Sequence, residues 1–403
     1  MTESLIKSCK KKSKLLKKYK KFPSVVNKVR YKQYKNLLKI LIRKTEREYY
    51  SNKLLKVTLN IRNTWKVINS IINNSPSRDK INNLKLDNLL LTDRKDIVHE
   101  LNKYFVNIGP NLSNCIPSSV NQFDYYLNSP NIKSMALIPT DEYEIIKIIN
   151  KLKQTSSSGV DDIPSTVIKC AAKSIAKALA LMINNSMNFG IFPSPLKIAK
   201  ITPIFKGGSS ILMTNYRPIS ILPVLSKIYE KVIATRLNSF LEKNKIKNDK
   251  QFGFRKNHST ALALTKFMEY ITEKLDNGNL VLSVFVDLSK AFDTIDHKIL
   301  IKKLFNYGIR GTALKLFEDY LTNRYQCVAI GDNISSLLQI TCGVPQGSIL
   351  GPVLFILYIN DLSNCVKVVQ ILLFADDTTI YLASKDINNL CQEINNELKK
   401  LSD

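Results

Sequence analysis

Residues 371–382 read ILLFADDTTIYL: two β-rich runs on either side of an Asp-Asp pair. The pattern predicts a β-hairpin with carboxylates at its tip. Asp is depleted in strands and adjacent carboxylates repel, so Asp376 and Asp377 are unfavourable in this apolar setting unless a cation neutralises them. Taken alone, an Asp-Asp turn is more often a structural hairpin than a metal site.

A second stretch changes that balance. Residues 280–287, LVLSVFVD, form a nearly continuous apolar run, which predicts a strand buried on both faces with Asp287 at its C-terminal edge. A hairpin packed alongside brings Asp376 within reach of Asp287. Three carboxylates from two strands make an oxygen-donor set suited to Mg²⁺, an ion that keeps positions open for substrate phosphates. Two such ions about 3.5–4 Å apart activate a 3′-hydroxyl and stabilise departing pyrophosphate. Between these elements lies CGVPQGSILGPVLFILYINDL, residues 342–362. Its Gly343, Pro345, Gly347, Gly351 and Pro352 allow a turn whose backbone approaches a ligand closely before an apolar helix begins. Gln346 on that turn can reach a base or sugar. A lone Gly-rich segment also reads as a simple helix-capping loop.

The composition agrees with a polyanionic partner. The 403 residues carry 60 Lys and Arg against 33 Asp and Glu, a formal charge of +27, and 44% are hydrophobic, enough for a sizeable core. A coat protein without chemistry would have the same charge. Residues 1–56 hold 19 basic and 3 acidic residues, a net +16. Seven scattered cysteines suggest neither a zinc site nor a disulfide framework and fit a reducing intracellular compartment. The longest apolar runs are too short to span a bilayer, so no membrane partner is expected.

Along the chain, residues 7–74 are Lys, Leu, Ile, Tyr and Arg with almost no Gly or Pro, which predicts two or three basic helices, the first two divided by Pro23. Tyr19, Tyr31, Tyr34, Tyr49 and Tyr50 lie among the cations, to stack on bases or to pack helix against helix. Residues 73–80 read as a linker. From Pro139 onward, helix-like stretches (141–152, 164–189) alternate with turns and β-branched runs, and 385–401 reads as one amphipathic helix, a mixture that points to an α+β core. The expected organisation is a basic helical region over 1–75, a linker or helical connector over 76–135 and a catalytic core over 136–403.

Seven blocks then stand in order: SSSGVDDIP (156–164), ITPIFKGG (201–208), NYRPISILPVLSKIYEKVIATRL (215–237), QFGFRKNHST (251–260), VFVDLSKAFDTIDH (284–297), GVPQGSILGPVLFILYINDL (343–362) and FADDTTIYL (374–382). Together they resemble the reverse transcriptase of jockey-like retrotransposons, which lack long terminal repeats. The resemblance implies right-hand polymerase fingers and palm, and RNA-directed synthesis of DNA. It implies that Asp287, Asp376 and Asp377 hold two Mg²⁺ ions, with Mn²⁺ able to replace them and the Leu288 carbonyl as a further ligand. Asp376 would be the direct partner of Asp287, with Asp377 more peripheral. Lys206 and Arg217 match the positions that grip the incoming triphosphate, Gln346 and Gly347 the loop that touches nucleotide and template, and Ala291 and Phe292 the sugar pocket. The Phe292 ring fills the space of a ribose 2′-hydroxyl, which disfavours an RNA-templated RNA polymerase. Implied partners are an RNA template, a DNA primer, deoxynucleoside triphosphates and the element's own RNA, in the nucleus after cytoplasmic translation. The family usually has Ser-Pro-Gly-Pro-Asp-Gly where this chain reads Ser157 to Asp162 as SSGVDD. A further palm block and a thumb would follow Asp377 in the family, and an endonuclease would precede the polymerase. The chain is therefore expected to be part of a larger element, or else a nucleic-acid-binding remnant of one.

Overall fold

The computed structural model describes residues 3–55, 64, 68, 81–86, 89–116, 123–155 and 157–402. The chain divides into two units, Met1–Lys80 and Ile81–Asp403. The expected linker at 73–80 lies outside the described residues.

In the first unit, α1 (Glu3–Lys21) packs on α2 (Val25–Leu55). The break falls at Pro23, which has no amide hydrogen and disfavours helix in the residue before it. Leu5 and Leu38 are buried, and the Lys11 ammonium lies 5.5 Å over the Tyr34 ring. Tyr34 thus serves as a contact between helices, whereas Tyr49 remains 57% exposed beside Tyr50.

The second unit mixes helices and sheets. Its elements begin with a short hairpin, β1 (Leu84–Leu86) and β2 (Leu89–Leu91), followed by α3 (Arg94–Asn114), whose first turn is capped by the Asp93 carboxylate. Then come α4 (Glu142–Lys151), α5 (Ser165–Cys170), α6 (Ala172–Phe189), β3 (Ile198–Phe205), β4 (Tyr216–Ile221), α7 (Val224–Lys243) and α8 (Thr260–Asp276). The rest of the chain gives β5 (Leu280–Asp287), α9 (His297–Asn306), α10 (Gly311–Leu321), β6 (Arg324–Ile330), β7 (Asn333–Ile334) and β8 (Leu338–Ile340). It closes with α11 (Gly351–Tyr358), β9 (Gln370–Phe374), β10 (Asp377–Ser384) and α12 (Ile387–Ser402).

One sheet has the order β4-β3-β6-β7 with β8 also on β6, and only the β3–β6 pair is parallel. Helix α3 lays Ile97, Leu101, Phe105 and Ile108, one helical stripe, against Ala199, Ile201, Tyr216 and Val328 of this sheet. The other sheet is fully antiparallel, in the order β5-β10-β9. Alternation along β9 sends Ile371 and Leu373 toward Ile394 of α12, while Leu372 joins Ala263 and Phe267 of α8 on the other side. A larger cluster binds α4, α6, α7, α9, α10 and α11 into the main core.

The expectation that LVLSVFVD is buried on both faces is not met. Strand β5 is an edge strand with no fully buried residue, and Phe285 is 71% exposed. The central position belongs to β10, whose Thr378 to Tyr381 are buried on both faces. An apolar run reports affinity for a partly covered pleated surface, and strand order decides how much cover it receives.

Candidate active site

Strands β9 and β10 pair Phe374 with Asp377, which leaves a two-residue turn, Ala375 and Asp376. Asp377, the first residue of β10, lies directly opposite Asp287 at the end of β5. The three aspartates therefore lie at one end of the sheet. Asp377 is the register partner of Asp287, and Asp376 occupies the turn. Asp376 and Asp287 together line a cavity of about 370 Å³. Asp377 and Asp287 border a second, more apolar hollow with Phe267, Met268 and Phe285. Among the described residues no three His, Cys, Asp or Glu side chains converge closely enough to hold a metal ion. Carboxylates facing one another across strands repel, so a closed triad needs a cation. Leu288 also lines the cavity, so the groups expected to hold a metal there, carboxylates and a backbone carbonyl, would all offer oxygen. Such a set suits a hard divalent ion and not zinc.

Cations line the same cavity. Antiparallel pairing of β3 with β4 places Ile204 against Arg217, and the Lys206 amide donates to the Asn215 carbonyl at 2.8 Å. Lys206 and Arg217 thereby line the same cavity as Asp287 and Asp376. A third cation there was missed by sequence reasoning. Lys290 has a left-handed backbone, φ +55°, and its ammonium is enclosed without a hydrogen-bond acceptor among the described residues. Burial and then the neighbouring Lys206 charge push its pKa down, relieved in part by Asp293. The available signal was a lone lysine three residues after Asp287 in a loop that ends in an aromatic.

Ala291 is buried, and Phe292 lines the cavity with its ring stacked on Phe355 at 4.8 Å and met edge-on by Phe254. Gln346 also reaches the cavity, where its amide nitrogen donates to both carboxylate oxygens of Asp293, at 2.9 and 2.8 Å. Burial pushes the Asp293 pKa up to about 6 against the opposing pull of Gln346, Lys290 and Lys206. Gly347 does not line this cavity. Its φ is +135°, and a Cβ there would lie 2.4 Å from the Ser220 carbonyl oxygen. Gly343 likewise abuts the backbone of Phe292 and Asp293. The loop glycines permit close approach to β4 and to the 292–293 segment.

Two supports lie outside the expected residues. The buried Glu230 carboxylate of α7 accepts from the amides of Ile349 and Leu350, at 2.5 and 3.2 Å, just ahead of α11. Burial raises its pKa, and Arg324 pulls it down. Gly109 of α3 lies against the Asp293 carbonyl, which would be 2.3 Å from any Cβ added there.

Comparison with known proteins agrees with this geometry. Residues 204–402 match the reverse transcriptase (RNA-dependent DNA polymerase) family. The chain is 31% identical over 287 residues to the probable RNA-directed DNA polymerase from transposon BS of Drosophila melanogaster. It is 32% identical over 286 residues to the RNA-directed DNA polymerase from mobile element jockey of the same fly. Each match covers 68% of this chain and 31% of the relative, so the chain spans about a third of the length of these proteins. A more distant relative, the putative 115 kDa protein in type-1 retrotransposable element R1DM of D. melanogaster, is 26% identical over 238 residues, 58% of this chain and 22% of its own. The matched region includes Asp287, Asp376, Asp377, Lys206, Arg217 and Lys290, and it is a reverse transcriptase domain of the jockey-like kind found in retrotransposons without long terminal repeats.

Proposed function

We propose that this chain is the catalytic part of an RNA-directed DNA polymerase that adds deoxynucleotides to a primer 3′-hydroxyl. The observation that carries the reading is the single cavity lined by Asp287 and Asp376 together with Lys206, Arg217 and Lys290. In this reading the three-stranded sheet is the palm and the β3–β4 hairpin belongs to the fingers. The three cations bind the triphosphate, a role for long side chains with fixed charge. Phe292, held by Phe355, excludes a 2′-hydroxyl beside Ala291, and Gln346, tethered by Asp293, is oriented toward the nucleotide. Asp287, Asp376, Asp377 and the Leu288 carbonyl would hold Mg²⁺, with Mn²⁺ as a substitute. Two such ions supply activation of the 3′-hydroxyl and neutralisation of charge on the leaving pyrophosphate. The template is RNA, the element's own transcript, and the nucleus is the expected place of synthesis.

Primer extension on an RNA template, with and without Mg²⁺, tests this. Extension should depend on the metal and be lost in Asp376→Asn, while RNA binding persists. Metal-independent extension, or wild-type extension by Asp376→Asn, overturns the assignment. The net +16 of residues 1–56 favours a second reading, binding of nucleic acid without catalysis, and tight RNA binding with no extension would select it.

A further inference from the structure

We propose that residues 248–253 latch the turn that carries Asp376, and that Gln251 is the positioning residue which sets this aspartate for metal binding. The proposal rests on the polymerase reading above. The segment runs beside β9: the Leu373 amide donates to the Lys250 carbonyl at 2.9 Å and the Phe252 amide to the Leu373 carbonyl at 2.8 Å. This brings the Gln251 side chain, 1% exposed, under the turn. Its oxygen accepts from the amides of Ala375 (2.9 Å) and Gly253 (2.7 Å), and its nitrogen donates to the Ala375 carbonyl (3.4 Å). One side chain thus engages both polar backbone groups of the residue that precedes Asp376.

Ala375 needs that hold. Its φ of +57° lies in the left-handed region, which a residue other than glycine keeps only when its surroundings fix it. Gly253 closes the same contact from another direction, since a Cβ there would stand 2.2 Å from the Ala375 nitrogen. The far end of the segment is anchored too. The Asn248 amide donates to the Asn360 side chain at 2.9 Å, and Arg255 donates to the carbonyls of Asn248 (2.6 Å) and Gln251 (3.1 Å).

A buried amide that serves only to satisfy backbone groups would leave metal affinity unchanged when replaced. A partner that orients a metal ligand behaves otherwise: its loss typically weakens metal binding by roughly 10–100-fold. Mn²⁺ binding, followed by electron paramagnetic resonance, separates the two in Gln251→Met and Gly253→Ala. Gln251→Met keeps the length of the side chain and removes its three contacts. Gly253→Ala drives a methyl group against the turn. Circular dichroism and RNA binding check that each variant is folded. Both should bind Mn²⁺ about 10-fold more weakly than wild type or worse, with RNA affinity retained. Wild-type Mn²⁺ affinity in a folded variant overturns the proposal, and if Gln251→Met does not fold, Gly253→Ala decides. A wild-type chain with no Mn²⁺ site removed by Asp376→Asn would instead overturn the polymerase reading itself, a result distinct from equal binding by variant and wild type.

Discussion

At the scale of single residues, charge without a partner is the most informative feature of the cavity. The Lys290 ammonium is enclosed beside Lys206 and finds no acceptor among the described residues, an arrangement that an arriving phosphate would relieve. Lys290→Ala should raise the KM for deoxynucleotide by roughly 10–100-fold, the worth of one charge-assisted hydrogen bond of about 1.5–3 kcal/mol, with Lys290→Arg affected less. Steady-state kinetics with varied nucleotide checks this, and an unchanged KM would remove Lys290 from the site. Asp293 gives a pH dependence. Its folded pKa of about 6 stands above the ordinary 3.8, so burial disfavours the ionised form. The resulting loss of stability is present above about pH 6 and is relieved as pH falls toward the ordinary value. Two units correspond to roughly 3 kcal/mol at most. Asp293→Asn, which cannot ionise, should therefore be more stable than wild type at about pH 8 and lose that advantage by about pH 4, as measured by urea unfolding across this range. The aspartates of the motif were legible in the sequence because a carboxylate at the end of an apolar strand is a local anomaly. Lys290, Asp293 and Gln251 were not: burial decides the first, and the other two act through partners distant in the chain, Gln346 53 residues from Asp293 and Ala375 124 residues from Gln251.

Among the elements, the helices expected over 141–152, 164–189 and 385–401 appear as α4, as α5 with α6, and as α12, because capping and periodicity act within a few residues. The Asp141 cap and the αL Gly190 that ends α6 are such local signals. Sheet order is not local, which is why β5 was expected in the interior and lies at an edge. The loop before α11 is another non-local case. Its residues suggested contact with a ligand, and the structure adds packing contacts that the sequence did not show, through Gly347 on β4 and through Glu230 beneath Ile349 and Leu350. Replacing Glu230 by Leu should cost about 3–5 kcal/mol, because two amides lose their acceptor and the buried Arg324 loses its counter-charge. Glu230→Gln, which keeps an acceptor, should cost less. Chemical denaturation of the two variants measures the difference, and equal losses would show that the charge, more than the cap, is what matters.

For the whole molecule, charge is distributed with a purpose that salt can expose. Deleting residues 1–56 should weaken RNA binding and flatten its dependence on ionic strength, each lost phosphate contact lowering the slope of log affinity against log salt by about 0.7–0.9. An unchanged slope would assign α1 and α2 to a protein partner. The contact between Gly109 and Asp293 has a consequence for how such elements exchange sequence. Helix α3 precedes the matched span of 204–402, yet its glycine touches the very loop that holds Phe292 and Asp293. A recombination breakpoint between residues 109 and 293 that brought in any larger residue at 109 would drive a side chain into the Asp293 carbonyl, so surviving mosaics of these elements should carry glycine there or have their junctions elsewhere.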